Sequence, residues 1–196
     1  MRKLVIWGGM ACLVVLFMSV ADAKDIVRKK NVGDDVQWKV QYLYDHCGWE
    51  CLLTFEAESG LVTDKVSHKQ NKNGTRDYGY CQQNSQYHSD FIFGYPYTLR
   101  LQHWRNLQKV RKYALYPKGY KGKTPEQWMQ ESKQAAEIMV HMSTFTPDFL
   151  DSTKQLDRCI GIFQDAKKKK RLRTTFYAFN VINKRPGVRD RFILNP

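Results

Sequence analysis

The sequence predicts an α+β fold that is mostly helical, with a small β-hairpin region beside one carboxylate-bearing helix. Three observations predict it. Cys47, Cys51, Leu52, Phe55 and Glu58 recur at roughly helical spacing. Asn73-Gly74, a favoured hairpin connection, lies in the polar stretch that follows. Thr124-Pro125 and Thr146-Pro147 each place an N-cap residue before a proline at the first helical position, so helices dominate the second half.

Length and composition set the frame. A chain of 196 residues, 42% of them hydrophobic, suits one globular domain with a sizeable core, and no internal repeat is visible. Met1-Arg2-Lys3, the apolar run Leu4 to Val20 and Ala21-Asp22-Ala23 have the three-part pattern of a secretory signal peptide over residues 1–23. The rival is an uncleaved anchor, for which the run is slightly short. Export places the mature protein in the periplasm or outside the cell. Removing residues 1–23 takes away two bases and one acid, so the formal charge goes from +13 to +12. A strongly basic exported protein seeks polyanions, and cell-wall polymers and membrane headgroups are the ones at hand.

Cys12 falls in the signal, which leaves Cys47, Cys51, Cys81 and Cys159. An even count in an exported chain implies disulfides. A Cys47–Cys51 bridge within one helical turn is awkward, so the two helix cysteines are expected to bridge to Cys81 and Cys159, in either order. A zinc site is the alternative, but the spacing is not that of paired knuckles. His46, His68, His88, His103 and His141 show no ligand spacing, so no metal is expected. No nucleotide fingerprint or other cofactor motif is evident.

In order, residues 24–40 are polar and charged and predict an extended lead-in to a domain at 41–196. Gln41 to Glu58 is the acid-bearing helix, with Gly48 inside it where another segment can pack closely. Ser59 to Tyr78 is the hairpin region, and Gly79 to Gln86 a short helix. Tyr87 to Tyr120 is dense in rings and bases, Arg100 and Trp104 among them. It is either a cleft wall whose rings stack on sugar faces, or an aromatic core under a solvated basic face. Such interleaving also suits single-stranded nucleic acid, but an exported protein rarely meets it, so no nucleic-acid partner is expected. Pro117 to Lys123 is a loop. Thr124, with Gln127 completing a capping box, starts a helix to about Met142. The Thr146-Pro147 helix reaches about Phe163 and turns Cys159 inward. Lys167 to Arg173 is a basic run, taken as a solvated face that meets the wall. Thr174 to Asn183 is a last helix, ended by Pro186-Gly187.

The chemistry lies in the first helix and the hairpin. About two turns separate Cys51 from Glu58, so Glu58 lies on the apolar stripe and Glu56 faces solvent. A carboxylate on an apolar stripe loses hydration, which favours its protonated form. A neutral carboxylic acid can donate a proton to a leaving group. The hairpin can fold Asp77 back beside Glu58. One dry and one polar carboxylate form the working pair of a glycoside hydrolase. In the alternative, Glu58 is an ordinary helix-end carboxylate and Asp77 an ordinary turn residue.

These residues stand in a pattern. Glu58-Ser59-Gly60, the insert with Asn73-Gly74-Thr75, and Asp77-Tyr78-Gly79-Tyr80-Cys81-Gln82-Gln83-Asn84 resemble the core signature of the lysozyme-like superfamily. That superfamily includes the soluble-type lytic transglycosylases and their small secretion-associated relatives, and lysozyme is itself the type case of the two-carboxylate chemistry. The resemblance departs at Cys81 and Gln83, where the family has apolar residues. It implies a lysozyme-like fold with Glu58 as catalytic acid and Asp77 as second carboxylate. It also implies substrate-binding roles for Ser59, Tyr78, Gln82 and Asn84. A weaker likeness links Ala178-Phe179-Asn180 and Pro186-Gly187 to a late transglycosylase motif. From it Asn180 carries over as substrate-binding, while Phe179 lacks the hydroxyl of the family's tyrosine.

What the resemblance implies is cleavage of the β-1,4 bond from N-acetylmuramic acid to N-acetylglucosamine in peptidoglycan glycan strands, by a monomer. The expected ending is that of a lytic transglycosylase, with Glu58 alone as acid and base and a 1,6-anhydromuramyl product. The alternative is lysozyme-type hydrolysis with Asp77 and water. By analogy with small transglycosylases, the cut would serve an envelope-spanning secretion or conjugation machine. Two other classes compete: a non-catalytic binder of wall glycan, and a cationic membrane-active protein.

Overall fold

The computed structural model describes residues 25–116, 122–182, 187 and 189–195. Residues 1–23, for which a signal peptide is expected, Lys24, most of the 117–123 loop and Pro186 lie outside them. The fold is mostly helical with two small antiparallel sheets.

Strand β1 (Ile26–Lys29) pairs with β4 (Phe192–Asn195), Ile26 opposite Asn195 and Lys29 opposite Phe192, so the two ends of the fold meet. Helix α1 (Asp34–Ser59) covers the other edge of β1. The Val27 N–H donates to Gln41 Oε1 at 2.8 Å, Gln37 Nε2 donates to the Val27 carbonyl at 2.6 Å, and the Lys29 N–H donates to Gln37 Oε1 at 3.1 Å. Gln37 and Gln41 are four residues apart and share a helix face, and there they satisfy an edge that would otherwise be open. The helix therefore begins at Asp34, and residues 34–40 are not an extended lead-in. Asp34 and Asp35 in its first turn suit the helix dipole, and the polar residues that suggest a lead-in serve the strand.

Gly48 interrupts α1 with a left-handed φ of 73°, which glycine adopts at little cost. The break lets Cys47 and Cys51 form a disulfide across a Cα–Cα distance of 5.6 Å, and Cys81 pairs with Cys159 at 5.8 Å. This corrects the expected pairing. The objection to a bridge within one turn assumes a regular helix, which Gly48 removes.

The main core gathers Val40, Leu43, Leu52 and Phe55 of α1 with Leu156 and Phe163 of α6 (Ser152–Lys168). Each such side chain contributes about 1.5–3 kcal/mol when fully buried. Helix α8 (Tyr177–Ile182) packs on α1, and α7 (Leu172–Thr175) meets α6 and α8. The single helix expected from Thr174 to Asn183 is broken at Phe176, which is extended. Its ring plugs the core 5.7 Å from that of Phe55 and 5.6 Å from that of Phe163.

Strands β2 (Asp77–Tyr78) and β3 (Gln83–Asn84) pair antiparallel, and Val66 bridges to Tyr78. Gly79 to Gln86 is thus a turn and a return strand, not a short helix. Left-handed Gly79 and Gln82 make the reversal. From α6, the fully buried Gln155 accepts the Tyr80 N–H at 2.7 Å and donates to the carbonyls of Thr63 and Phe149. That one amide pins the hairpin to the helical body.

Between hairpin and α6 run α2 (Ser89–Phe93), α3 (Tyr97–Leu115), α4 (Pro125–His141) and α5 (Pro147–Leu150). Helices α3 and α4 share a small core of Leu107, Val110, Trp128 and Ala135. The capping box of Thr124 and Gln127 opens α4 as expected. The Thr146 helix is divided, because Asp151 accepts the N–H groups of Thr153 and Lys154 and starts α6 afresh. The ring-rich segment is divided too: Ile92 and Phe93 are buried with Phe149, whereas Tyr87, Trp104 and Tyr116 are exposed. Among the described residues no helix is long and apolar enough to cross a membrane.

Candidate active site

Glu58 lies in the last turn of α1, which Gly60 ends in a left-handed conformation (φ 66°). Ser59 is buried there. Its Oγ donates to the Phe55 carbonyl at 3.0 Å and accepts the Leu61 N–H at 3.1 Å. It therefore braces the helix end, and its expected contact with substrate has no support in this placement.

The Glu58 side chain is half-buried under the start of α8. Its Oε1 accepts the Ala178 N–H at 2.9 Å, and the Tyr177 N–H also bonds the carboxyl. Burial pushes its pKa up, the two amides pull it down, and the negative charge of Asp77 pushes it up again; the net direction is upward. No cation pairs with it among the described residues. Glu58 thus holds its proton more readily than a free glutamate does.

Glu56 corrects the azimuth argument. It is only 8% exposed and pairs with Lys29 Nζ at 3.0 Å and Arg191 Nη1 at 3.5 Å. The β1–β4 sheet covers the face that helical periodicity assigns to solvent.

Asp77 is held from three sides. Its N–H donates to Ser67 Oγ at 3.0 Å, and its Oδ1 accepts from Asn71 Nδ2 at 3.0 Å and Asn84 Nδ2 at 2.9 Å. The Asn73-Gly74 turn sets this up. Gly74, with φ 83°, lets the Gly74 N–H reach the Asn71 carbonyl and the Asn71 N–H reach that of Thr75. Asn84 is therefore a residue that positions the Asp77 carboxylate. Gln82 returns its Nε2 to the Gly79 carbonyl at 2.9 Å and braces the turn. Tyr78 packs its ring against Phe93 and Phe145, at 5.2 and 5.8 Å between centroids. Asn180 donates to the Arg173 carbonyl at 2.8 Å, tying α8 to α7, and makes no bond to Glu58.

The charge of Asp77 thus reaches Glu58, Asn84 is set on Asp77, and Ser59, Gln82 and Asn180 have bracing bonds instead. Sequence reasoning missed Asn71 and the amides of Tyr177 and Ala178. Asn71 is one of several polar residues in its loop, and a backbone N–H leaves no mark in a sequence. No group of three or more acidic, histidine or cysteine residues suited to a metal occurs among the described residues.

In comparisons with known proteins, no family model, no curated protein and no solved structure matches this chain. The functional reading therefore rests on the site. A carboxyl whose acid form is favoured can give a proton to an ether oxygen, and a carboxylate nearby can steady the positive charge left on the carbon.

Proposed function

We propose that this protein cleaves the β-1,4 bond between N-acetylmuramic acid and N-acetylglucosamine in peptidoglycan, as a lytic transglycosylase. The observation that carries the reading is Glu58: half-buried, unpaired with any cation among the described residues, and pushed toward its acid form. Glu58 gives its proton to the glycosidic oxygen, and the muramyl ring develops oxocarbenium character. The C6 hydroxyl of that ring then attacks C1 and returns its proton to the Glu58 carboxylate. The product has a 1,6-anhydro end, and no water is consumed.

A second reading has an observation of its own. Asp77 has its Oδ1 held by the side-chain amides of Asn71 and Asn84, which would suit it to act as a second carboxylate. It would then stabilise or trap the cation at C1, and water would complete the reaction with retention. The fold would be lysozyme-like in either case, the site periplasmic or extracellular, and the service to a secretion or conjugation machine a matter of analogy.

Digestion of purified cell wall by the protein, with product masses, tests both readings. Anhydromuramyl ends support the transglycosylase and reducing ends the hydrolase. Glu58→Gln keeps the acceptor for the Ala178 N–H but cannot donate a proton to the leaving oxygen. It should lose roughly 10²–10⁴-fold in rate. Undiminished cleavage by this variant would refute both readings, and wall binding with no cleavage by either protein would leave a non-catalytic binder.

A further inference from the structure

Arg76 and Tyr78 flank Asp77 on an extended segment, so their side chains leave the face opposite to the one Asp77 uses. There they line a groove of about 380 Å³ against α3, together with Tyr97, Arg100, Leu101 and Trp104. Asp77 and Glu58 do not line it. The volume is within the range of small-ligand sites. Its walls hold two guanidinium groups and three aromatic rings, with no carboxylate among the lining residues.

The two arginines are anchored from behind. Arg100 Nε donates to the Met142 carbonyl at 2.8 Å, and its guanidinium carbon lies 3.6 Å from the centre of the Phe93 ring. Arg76 Nη1 donates to the Ser67 and His68 carbonyls at 2.6 and 3.1 Å. A guanidinium has five N–H donors, so each has donors left over, and neither pairs with a carboxylate among the described residues. Trp104 is 49% exposed although it is the largest side chain on that stretch of α3. Fixed cations beside an uncovered indole suit a ligand with an apolar ring face and a carboxylate.

We propose that this groove is a second glycan site, which takes an N-acetylated sugar bearing a carboxylate: the carboxylate on Arg100, with Arg76 beside it, and the ring face on Trp104. The choice of an acidic sugar rests on the wall-cleaving reading above; the appetite of the groove for an anion does not. Such a site lets the protein hold one stretch of wall on the back of the hairpin while the front works on another.

Nuclear magnetic resonance of the indole N–H groups tests this in the Glu58→Gln protein, labelled with ¹⁵N-tryptophan. The Trp104 signal is the one that disappears in Trp104→Phe. The probes are free N-acetylmuramic acid and N-acetylglucosamine. The muramic sugar should shift the Trp104 signal, and the neutral sugar should bind about tenfold more weakly, the loss of one charge-assisted hydrogen bond. Arg100→Gln should abolish that preference. Because Arg100 also ties α3 to the Met142 carbonyl, Trp104→Ala is the second variant, its sugar binding read by titration calorimetry beside that of the parent; its side chain is half-exposed, so the fold should stand while binding drops. Equal responses to both sugars, a Trp104 signal that stays still, or undiminished binding by Trp104→Ala would overturn the proposal. Free sugars contain no bond to cut, so these outcomes leave the cleavage reading untouched. Failure of wall cleavage, in turn, leaves the Trp104 shift to be seen.

Discussion

At Glu58 two influences oppose each other. The amides of Tyr177 and Ala178 favour the anion, while burial and the charge of Asp77 favour the acid and prevail. The consequence for stability has a definite sign. The folded state holds this proton more tightly than the unfolded chain, so the wild type is favoured at low pH and loses that advantage as pH rises through the raised folded pKa. Glu58→Gln carries no such titration. Urea unfolding of both proteins between about pH 4 and pH 8 should show the variant gaining on the wild type as pH rises, and wall cleavage by the wild type should decline over the same interval. A stability difference that stays flat with pH would mean that Glu58 titrates normally. Periodicity marked Cys51, Leu52 and Phe55 as buried, and they are, but Leu53 and Thr54 between them are buried as well, so the spacing alone did not place Glu58. The burial of Glu56 was not legible, because periodicity along one helix says nothing of a sheet built from β1 and β4, segments far apart in the sequence. Asn71 was equally hidden, since what it does depends on a turn that closes only in three dimensions.

Among the elements, the hairpin depends most on a single partner. Gly79 is left-handed (φ 74°), and a β-carbon there would overlap the Gln155 side-chain amide and lie 3.1 Å from the Phe149 ring. Gln155 is fully buried and spends its amide on Tyr80, Thr63 and Phe149. Gly79→Ala should therefore cost about 2–4 kcal/mol: roughly 1 for the strained backbone and 1–3 for a buried polar group deprived of its bonds. A denaturation midpoint unchanged by the substitution would show that Gln155 is not the pin. Capping explains which element boundaries could be foreseen. Thr124, Pro125 and Gln127 form a local code that is sufficient in itself, and α4 starts where that code says. The starts of α1 and α8 depend on distant partners, β1 for one and the aromatic core around Phe176 for the other. No local residue announces them.

Over the whole molecule, covalent and non-covalent ties join segments far apart in sequence. The β1–β4 sheet unites the ends, and the Lys29–Glu56–Arg191 cluster fastens that sheet to the acid-bearing helix. The two disulfides act on different lengths of chain. Cys81–Cys159 spans 78 residues, from the hairpin to α6, whereas Cys47–Cys51 spans 4, across the Gly48 break. By loop-closure entropy the long link should contribute about 4.5 kcal/mol and the short one about 2. Of the two bridges, only the long one joins the hairpin that carries Asp77 to the helical body, where it adds to the hold of Gln155. Replacing Cys81 and Cys159 together by alanine should thus lower the unfolding midpoint much more than replacing Cys47 and Cys51. It should also weaken wall cleavage at temperatures where the protein is still folded, since the two carboxylates lose their common frame. Thermal unfolding and cleavage rates of the two double variants decide it. Equal losses from both pairs would mean that the short bridge supports more than its own turn, and that α1 beyond Gly48 depends on it to keep Glu58 in place.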